Sequence, residues 1–255
     1  MSDKLKALIF DVDGTLADNE RDGHRVAFNR AFREAGLDWD WDVATYDRLL
    51  TVFGGKERIR YFVECLGPAF EAPDDLDAFI RGLHQKKTAH YTALLKSGAI
   101  PLRPGVERLL REARTAGLRL AIATTTTPEN VTVLMTESIG EQSLEWFDVI
   151  AAGDVVANKK PAPDIFLHAL DLLGLNASDC LVFEDTEAGL ASATAAGLAA
   201  VITVNGATRN QDFSGAVIVL DQLGEPGHGF EVLAGDAGDA SFVDVELLKR
   251  LHSGA

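Results

Sequence analysis

Five short aliphatic runs recur along this chain, and they limit its fold more than any other feature: "ALIF" (7–10), "LRLAIAT" (118–124), "FDVIAA" (147–152), "CLVFED" (180–185) and "AAVITV" (199–204). Short runs that are apolar at consecutive positions suit strands covered on both faces. Helical patterns lie between the later runs. "GVERLLREARTAG" (105–117) sets Val106, Leu109, Leu110 and Ala113 on one face and stops at Gly117. "TPENVTVLMTESIG" opens with a Thr127 cap and Pro128 in the first turn, and "PDIFLHALDLLG" runs from Pro163 to Gly174. Strands alternating with helices predict an α/β fold, a Rossmann-like parallel sheet with right-handed crossovers.

Residues 18–97 break the alternation. They carry helical patterns at 24–35, 42–52, 56–66 and 75–95 and no convincing strand. We read them as a helical insert (18–97) in a core made of 1–17 and 98–255, hinged at "DGTLADNE" and "LKSGAIPLRPG". The Gly-Asp stretch 234–240 reads as a surface loop, and "VDVELLKRLH" as a terminal helix.

Composition removes several function classes. The formal net charge is −15, which repels nucleic acid and anionic membranes at long range. No apolar run approaches the roughly 20 residues of a membrane span. The two cysteines, Cys65 and Cys180, lack metal-type spacing, and the six histidines form no HxxxH pair. A reducing compartment is expected. "MSDKLKALIF" is too briefly apolar and too quickly acidic for a secretory signal, so the expected location is cytoplasmic, or the plastid stroma if a transit peptide has been removed. A monomer is expected.

In an open parallel sheet, ligands bind beyond the carboxyl ends of the strands. The first run ends in Asp11, Asp13 and Thr15, the second in Thr124 to Thr127. "ANKKPAPD", with Lys159 and Lys160, follows the third, and Glu184 and Asp185 close the fourth. Two carboxylates 4 Å apart repel by about 4 kcal/mol at an effective dielectric near 20, so such acids gather around a cation. Magnesium accepts oxygen ligands of this kind and keeps room for phosphate oxygens. A hydroxyl and an ammonium nearby suit an anion. One carboxylate can then attack phosphorus, while a second, two residues along, handles the proton of the leaving oxygen. Of the two lysines, Lys160 is preferred, because Pro161 biases its backbone to the extended region. In the insert, Gly54-Gly55 permits close backbone approach, and Lys56 and Arg58 beside it can grip a second phosphate.

The ordered set "DVDGT", "IATTT", "KKPAPDIF" and "VFEDTEAG" resembles the haloacid-dehalogenase-like (HAD) phosphatases over nearly the whole chain. The resemblance implies an inserted α-helical cap, a phosphoaspartyl intermediate and Mg²⁺ as cofactor. It implies Asp11 as nucleophile and Asp13 as acid/base, with Thr124 and Lys160 on the transferring phosphoryl group. Asp11, the Asp13 carbonyl and Asp185 would hold the metal, with Glu184 binding directly or through water. "GTLAD", the histidine before "RVAFN", "FGGKERI" and "IATTTTPENV" resemble the CbbY-type branch, which implies a small phosphorylated sugar as substrate, xylulose 1,5-bisphosphate first. Glu20, His24, Lys56, Arg58 and Thr125 are the candidate substrate-binding residues.

Rival readings differ in stated features. A receiver-type signalling protein would be half this length and lack the second acid. A true dehalogenase has no need of Asp13. A sugar-phosphate mutase resembling β-phosphoglucomutase favours DxDGV, against Thr15 here. A phosphoglycolate phosphatase would differ in substrate alone.

Overall fold

The computed structural model describes residues 5–254. The chain divides into two compact units, one formed by residues up to Asp18 together with Pro101 onward, the other by Asn19–Ile100.

The first unit is built on a seven-stranded sheet: β1 (Ala7–Phe10), β2 (Arg119–Thr124), β3 (Val149–Ala152), β4 (Cys180–Glu184), β5 (Ala199–Thr203), β6 (Ile218–Leu220) and β7 (Val232–Ala234). Their spatial order is β3-β2-β1-β4-β5-β6-β7, so the first strand in sequence lies at the centre. The first six strands pair in parallel. The five predicted strands are all present. The expectation of an all-parallel sheet is corrected at its edge, where β7 runs antiparallel to β6. With three residues each, β6 and β7 are too short to stand out as apolar runs.

Side chains alternate across each strand. Ala7, Ile9, Ala121, Ala123, Val182, Ala200 and Ile202 join one buried cluster with α7 (Asp164–Leu173) and α8 (Glu187–Ala195). The alternate residues, among them Leu8, Phe10, Leu120, Ile122 and Phe183, are buried as well, and Phe10 stacks on Phe183 with ring centroids 4.5 Å apart. α5 (Val106–Thr115) and α9 (Val245–Ser253) pack on each other and against β2 and β4 respectively. Small residues keep the covering helices close: both Ala121 and Ala123 are wholly buried in β2. The helix signals act locally as their chemistry dictates. Thr127 caps α6 (Pro128–Ser138), accepting from the Asn130 N–H, and the chain leaves α7 at Gly174.

The second unit is helical: α1 (Arg25–Glu34), entered through a wider π-type turn at Glu20–His24, then α2 (Val43–Leu49), α3 (Gly55–Leu66) and α4 (Leu76–Lys96). No strand occurs among its described residues. Aromatic rings dominate its core. Phe28, Phe32, Trp41 and Tyr46 are wholly buried, and Trp39, Phe62, Phe70 and Phe79 pack around them. Asn29 fixes the loop between α1 and α2 by bonding both the N–H and the carbonyl of Trp41, at 2.9 Å each.

Candidate active site

Strand register sets the site. Phe10 pairs with Phe183 in β4, so Asp11 and Glu184, each the next residue along, stand level on neighbouring strands. Parallel strands lie about 4.8 Å apart. On the other side Phe10 pairs with Ile122, which sets Thr124, at the end of β2, beside the loop that follows Asp11. The Asp11 N–H still donates to the Phe183 carbonyl at 3.0 Å, so the first acid is held by the sheet itself.

The loop then turns sharply. Leu16 donates to the Val12 carbonyl, and Gly14 donates to the Ala17 carbonyl. Gly14 has φ +86°, and a Cβ there would fall 2.1 Å from Asp185 Oδ2. Glycine is required on both counts. The loop's Thr15 hydroxyl donates to Asp185 Oδ1 at 3.3 Å, and Asn205 Nδ2 donates to Asp185 Oδ2 at 2.7 Å. A second close approach occurs at Gly189, where a Cβ would lie 2.0 Å from Glu184 Oε2. The Glu184 carboxylate therefore occupies the space a side chain on α8 would need.

Lys160 reaches this cluster. Its ammonium donates to Asp11 Oδ1 at 2.6 Å, to Glu184 Oε1, and to the Ala123 carbonyl at 3.3 Å. Lys159 turns away and pairs with Asp154 at 3.1 Å. Asp11, Thr124, Lys160, Glu184 and Asp185 are all buried.

Asp11 and Glu184 thus divide one ammonium between them, and Asp185 accepts from two neutral groups. Burial pushes the Asp11 carboxyl up to about 7, against the pull of Lys160 and with the help of Glu184 and Asp13. Burial would lower the Lys160 ammonium, but the charges of Asp11 and Glu184 outweigh it and hold it above the usual lysine range. The site therefore favours a cation already present and resists its own second negative charge. Oxygen atoms of Asp11, Glu184 and Asp185 lie within 4.8 Å of one another, an all-oxygen set that fits a hard divalent ion such as Mg²⁺.

Asp13 and Thr125 stand half-buried in the loops after β1 and β2. The Thr124 hydroxyl accepts from the Thr126 N–H at 3.3 Å.

The remaining candidates belong to the helical unit, where two clusters gather Glu20, Arg58 and His24. Tyr46 donates its hydroxyl to Glu20 and accepts from Arg58 Nη1 at 2.8 Å. Arg58 Nε points to the carbonyls of Leu49 and Val52, and Nη1 lies 3.8 Å from Glu20. Arg58 is thus largely committed to closing the α2–α3 turn of its own unit. His24 is buried, stacked on Tyr91 with centroids 3.9 Å apart, and its Nδ1 lies 2.7 Å from Lys87 Nζ. Lys56 is half-buried at the start of α3.

Asn205 was not among the sequence candidates. It directly follows the fifth apolar run, so inspecting that strand end like the other four would have found it. Tyr46 and Lys87 gave no signal, since an aromatic or a lysine on an amphipathic helix reads as core or surface.

Comparison with known proteins identifies the family. The sequence profile of the haloacid dehalogenase-like hydrolases matches residues 5–197. Protein CbbY of Rhodobacter capsulatus is 52% identical over 213 residues, 84% of this chain and 91% of that protein. The plasmid-borne CbbY of Cupriavidus necator is 47% identical over 222 residues, 87% of each chain. Among solved structures, a mutant CbbY from Rhodobacter sphaeroides in complex with xylulose 1,5-bisphosphate is similar, with TM-score 0.79 and 43% identity over 86% of this chain and 94% of that one. The chain belongs to the haloacid dehalogenase-like hydrolases, as an enzyme of the CbbY-type phosphatases.

Proposed function

We propose that this phosphatase hydrolyses a small phosphorylated sugar through a phosphoaspartyl intermediate, with Mg²⁺ as cofactor and xylulose 1,5-bisphosphate as its preferred substrate. The observation that carries the reading is the buried trio Asp11, Glu184 and Asp185 with Lys160 set between the first two. The xylulose 1,5-bisphosphate in the similar CbbY structure supports the substrate.

In this mechanism the substrate's phosphoryl group is held by the Thr124 hydroxyl and the Lys160 ammonium. Asp11 Oδ attacks phosphorus as the bond to the sugar oxygen breaks, and Asp13 gives that oxygen its proton. Asp13 then takes a proton from water, whose oxygen attacks phosphorus and releases Asp11 and inorganic phosphate. Asp11, the Asp13 carbonyl and Asp185, with Glu184 directly or through water, would hold Mg²⁺, which would supply charge neutralisation for the phosphoryl oxygens. Lys56 is the candidate for a remote second phosphate, and Glu20 and His24 for the sugar. Arg58 and Tyr46 hold Glu20 in place for that contact.

Phosphate release measured across mono- and bisphosphorylated sugars tests this. Turnover should vanish in excess chelator and be highest with xylulose 1,5-bisphosphate. Full turnover in chelator overturns the metal mechanism. Preference for phosphoglycolate or a hexose monophosphate overturns the substrate. Conversion of a sugar phosphate to its isomer without phosphate release makes the enzyme a mutase.

A further inference from the structure

One guanidinium grips both flanks of Asp185. Arg103 lies in the segment returning from the helical insert, with its N–H on the Leu16 carbonyl at 2.8 Å. Its side chain donates to four backbone carbonyls. Nη1 reaches Gly14 and, at 2.9 Å, Thr203; Nη2 reaches Val204 and Asp221, each at 2.6 Å. These belong to the loop after β1 and to the ends of β5 and β6.

The placement bears on the acid between them. Asp185 follows β4, whose neighbours are β1 and β5. On the β1 side it accepts from Thr15, the residue after Gly14. On the β5 side it accepts from Asn205, the residue after Val204. Each donor is thus one residue from a carbonyl that Arg103 holds. The planar fork of arginine fixes two directions at once, which the single ammonium of lysine cannot do. Groups that orient a ligating carboxylate typically change metal affinity 10- to 100-fold when lost.

We propose that Arg103 is a positioning residue for the metal-binding end of the site, setting the separation of Thr15 and Asn205 and so the orientation of the Asp185 carboxylate. This rests on the Mg²⁺-dependent reading above.

The test is a titration of the folded, full-length protein with Mg²⁺ alone, followed by thermal unfolding, beside kcat and KM at saturating Mg²⁺. Arg103→Lys keeps the charge and loses the fork. It should weaken Mg²⁺ binding by about tenfold or more and lower kcat with KM nearly unchanged. A folded Arg103→Lys whose Mg²⁺ affinity and kcat lie within twofold of wild type overturns the proposal, and so does one that loses thermal stability alone. Asn205→Ala removes the β5-side donor to Asp185, together with the Oδ1 contact to the Ala207 N–H, and covers the case of an Arg103 variant that does not fold. It too should weaken Mg²⁺ binding about tenfold, and unchanged affinity overturns the proposal. Wild type that binds no Mg²⁺ overturns the metal-dependent reading first, which separates that failure from this one.

Discussion

Two clusters, one in each unit, bury charge in different ways. In the helical unit, Glu20, Tyr46 and Arg58 form a chain in which one acid and one base share a hydroxyl, and the carbonyls of Leu49 and Val52 accept from the guanidinium. In the sheet unit, Asp11 and Glu184 compete for Lys160 while Asp185 accepts from Thr15 and Asn205. Balanced burial is architecture. A buried excess of one sign is a binding site for something of the other sign, because no fold gathers such charge to its own advantage.

The strongest way to break this contrast is to neutralise the excess. Asp11→Asn should lower turnover by about 10³-fold or more, since the attacking oxygen is gone. The same variant should raise the melting temperature measured without Mg²⁺, since it removes a charge that burial opposes. A variant that is both active and less stable would refute the comparison.

Next in size is the proton. Asp13→Asn should lower kcat by about 10²-fold or more while binding of Mg²⁺ persists. Lys160→Ala should cost turnover and about 3–5 kcal/mol of stability, because it leaves two buried carboxylates without their shared ammonium. Lys159→Ala, at a partly exposed pair with Asp154, should stay within about 1 kcal/mol of wild type. Reversed behaviour of the two lysines in parallel assays and melts would refute the assignment.

Substrate selectivity sharpens the contrast from the other unit. Lys56→Ala should reduce kcat/KM for xylulose 1,5-bisphosphate by about 10- to 150-fold, the value of one charged contact. It should leave para-nitrophenyl phosphate nearly unaffected. Equal losses on the two substrates would remove Lys56 from substrate recognition.

A further effect is in pH. Burial raises the Asp11 carboxyl to about 7 in the folded protein, against 3.8 for an ordinary aspartate. A raised carboxyl binds its proton more tightly when folded, so its contribution is fully present below about 4 and is lost as pH rises through about 7. Without Mg²⁺, stability should decline across that window, and Mg²⁺ should stabilise the protein more at pH 8 than at pH 5. Melting curves at both pH values, with and without Mg²⁺, decide it. Equal Mg²⁺ shifts would place the ion away from Asp11.

The sheet was legible because its strands are continuous apolar runs: "LIF" before Asp11 and "LVF" before Glu184 read as buried strands, and in the structure these two pair residue for residue. β6 and β7 were not, since three residues carry too little pattern. The acids were found by looking past the strand ends. The committed state of Arg58 was not, because an amphipathic repeat tells which face is buried and is silent on which carbonyls a buried guanidinium will meet. Arg103 escaped for the same reason: its partners are backbone atoms, which sequence does not spell.

The central position of β1 has a consequence for how the molecule is made. Both of its neighbours come late, β2 beginning at Arg119 and β4 at Cys180, and the Thr15–Asp185 bond spans 170 residues. During synthesis the helical unit, contiguous from Asn19 to Ile100, can close on itself while β1 still waits for partners. Contacts so distant in sequence form slowly, and unpaired apolar strand edges are open to aggregation in the interval. The Thr15–Asp185 contact at the buried acid cluster therefore forms only after the 170 positions that separate the two residues have been synthesised.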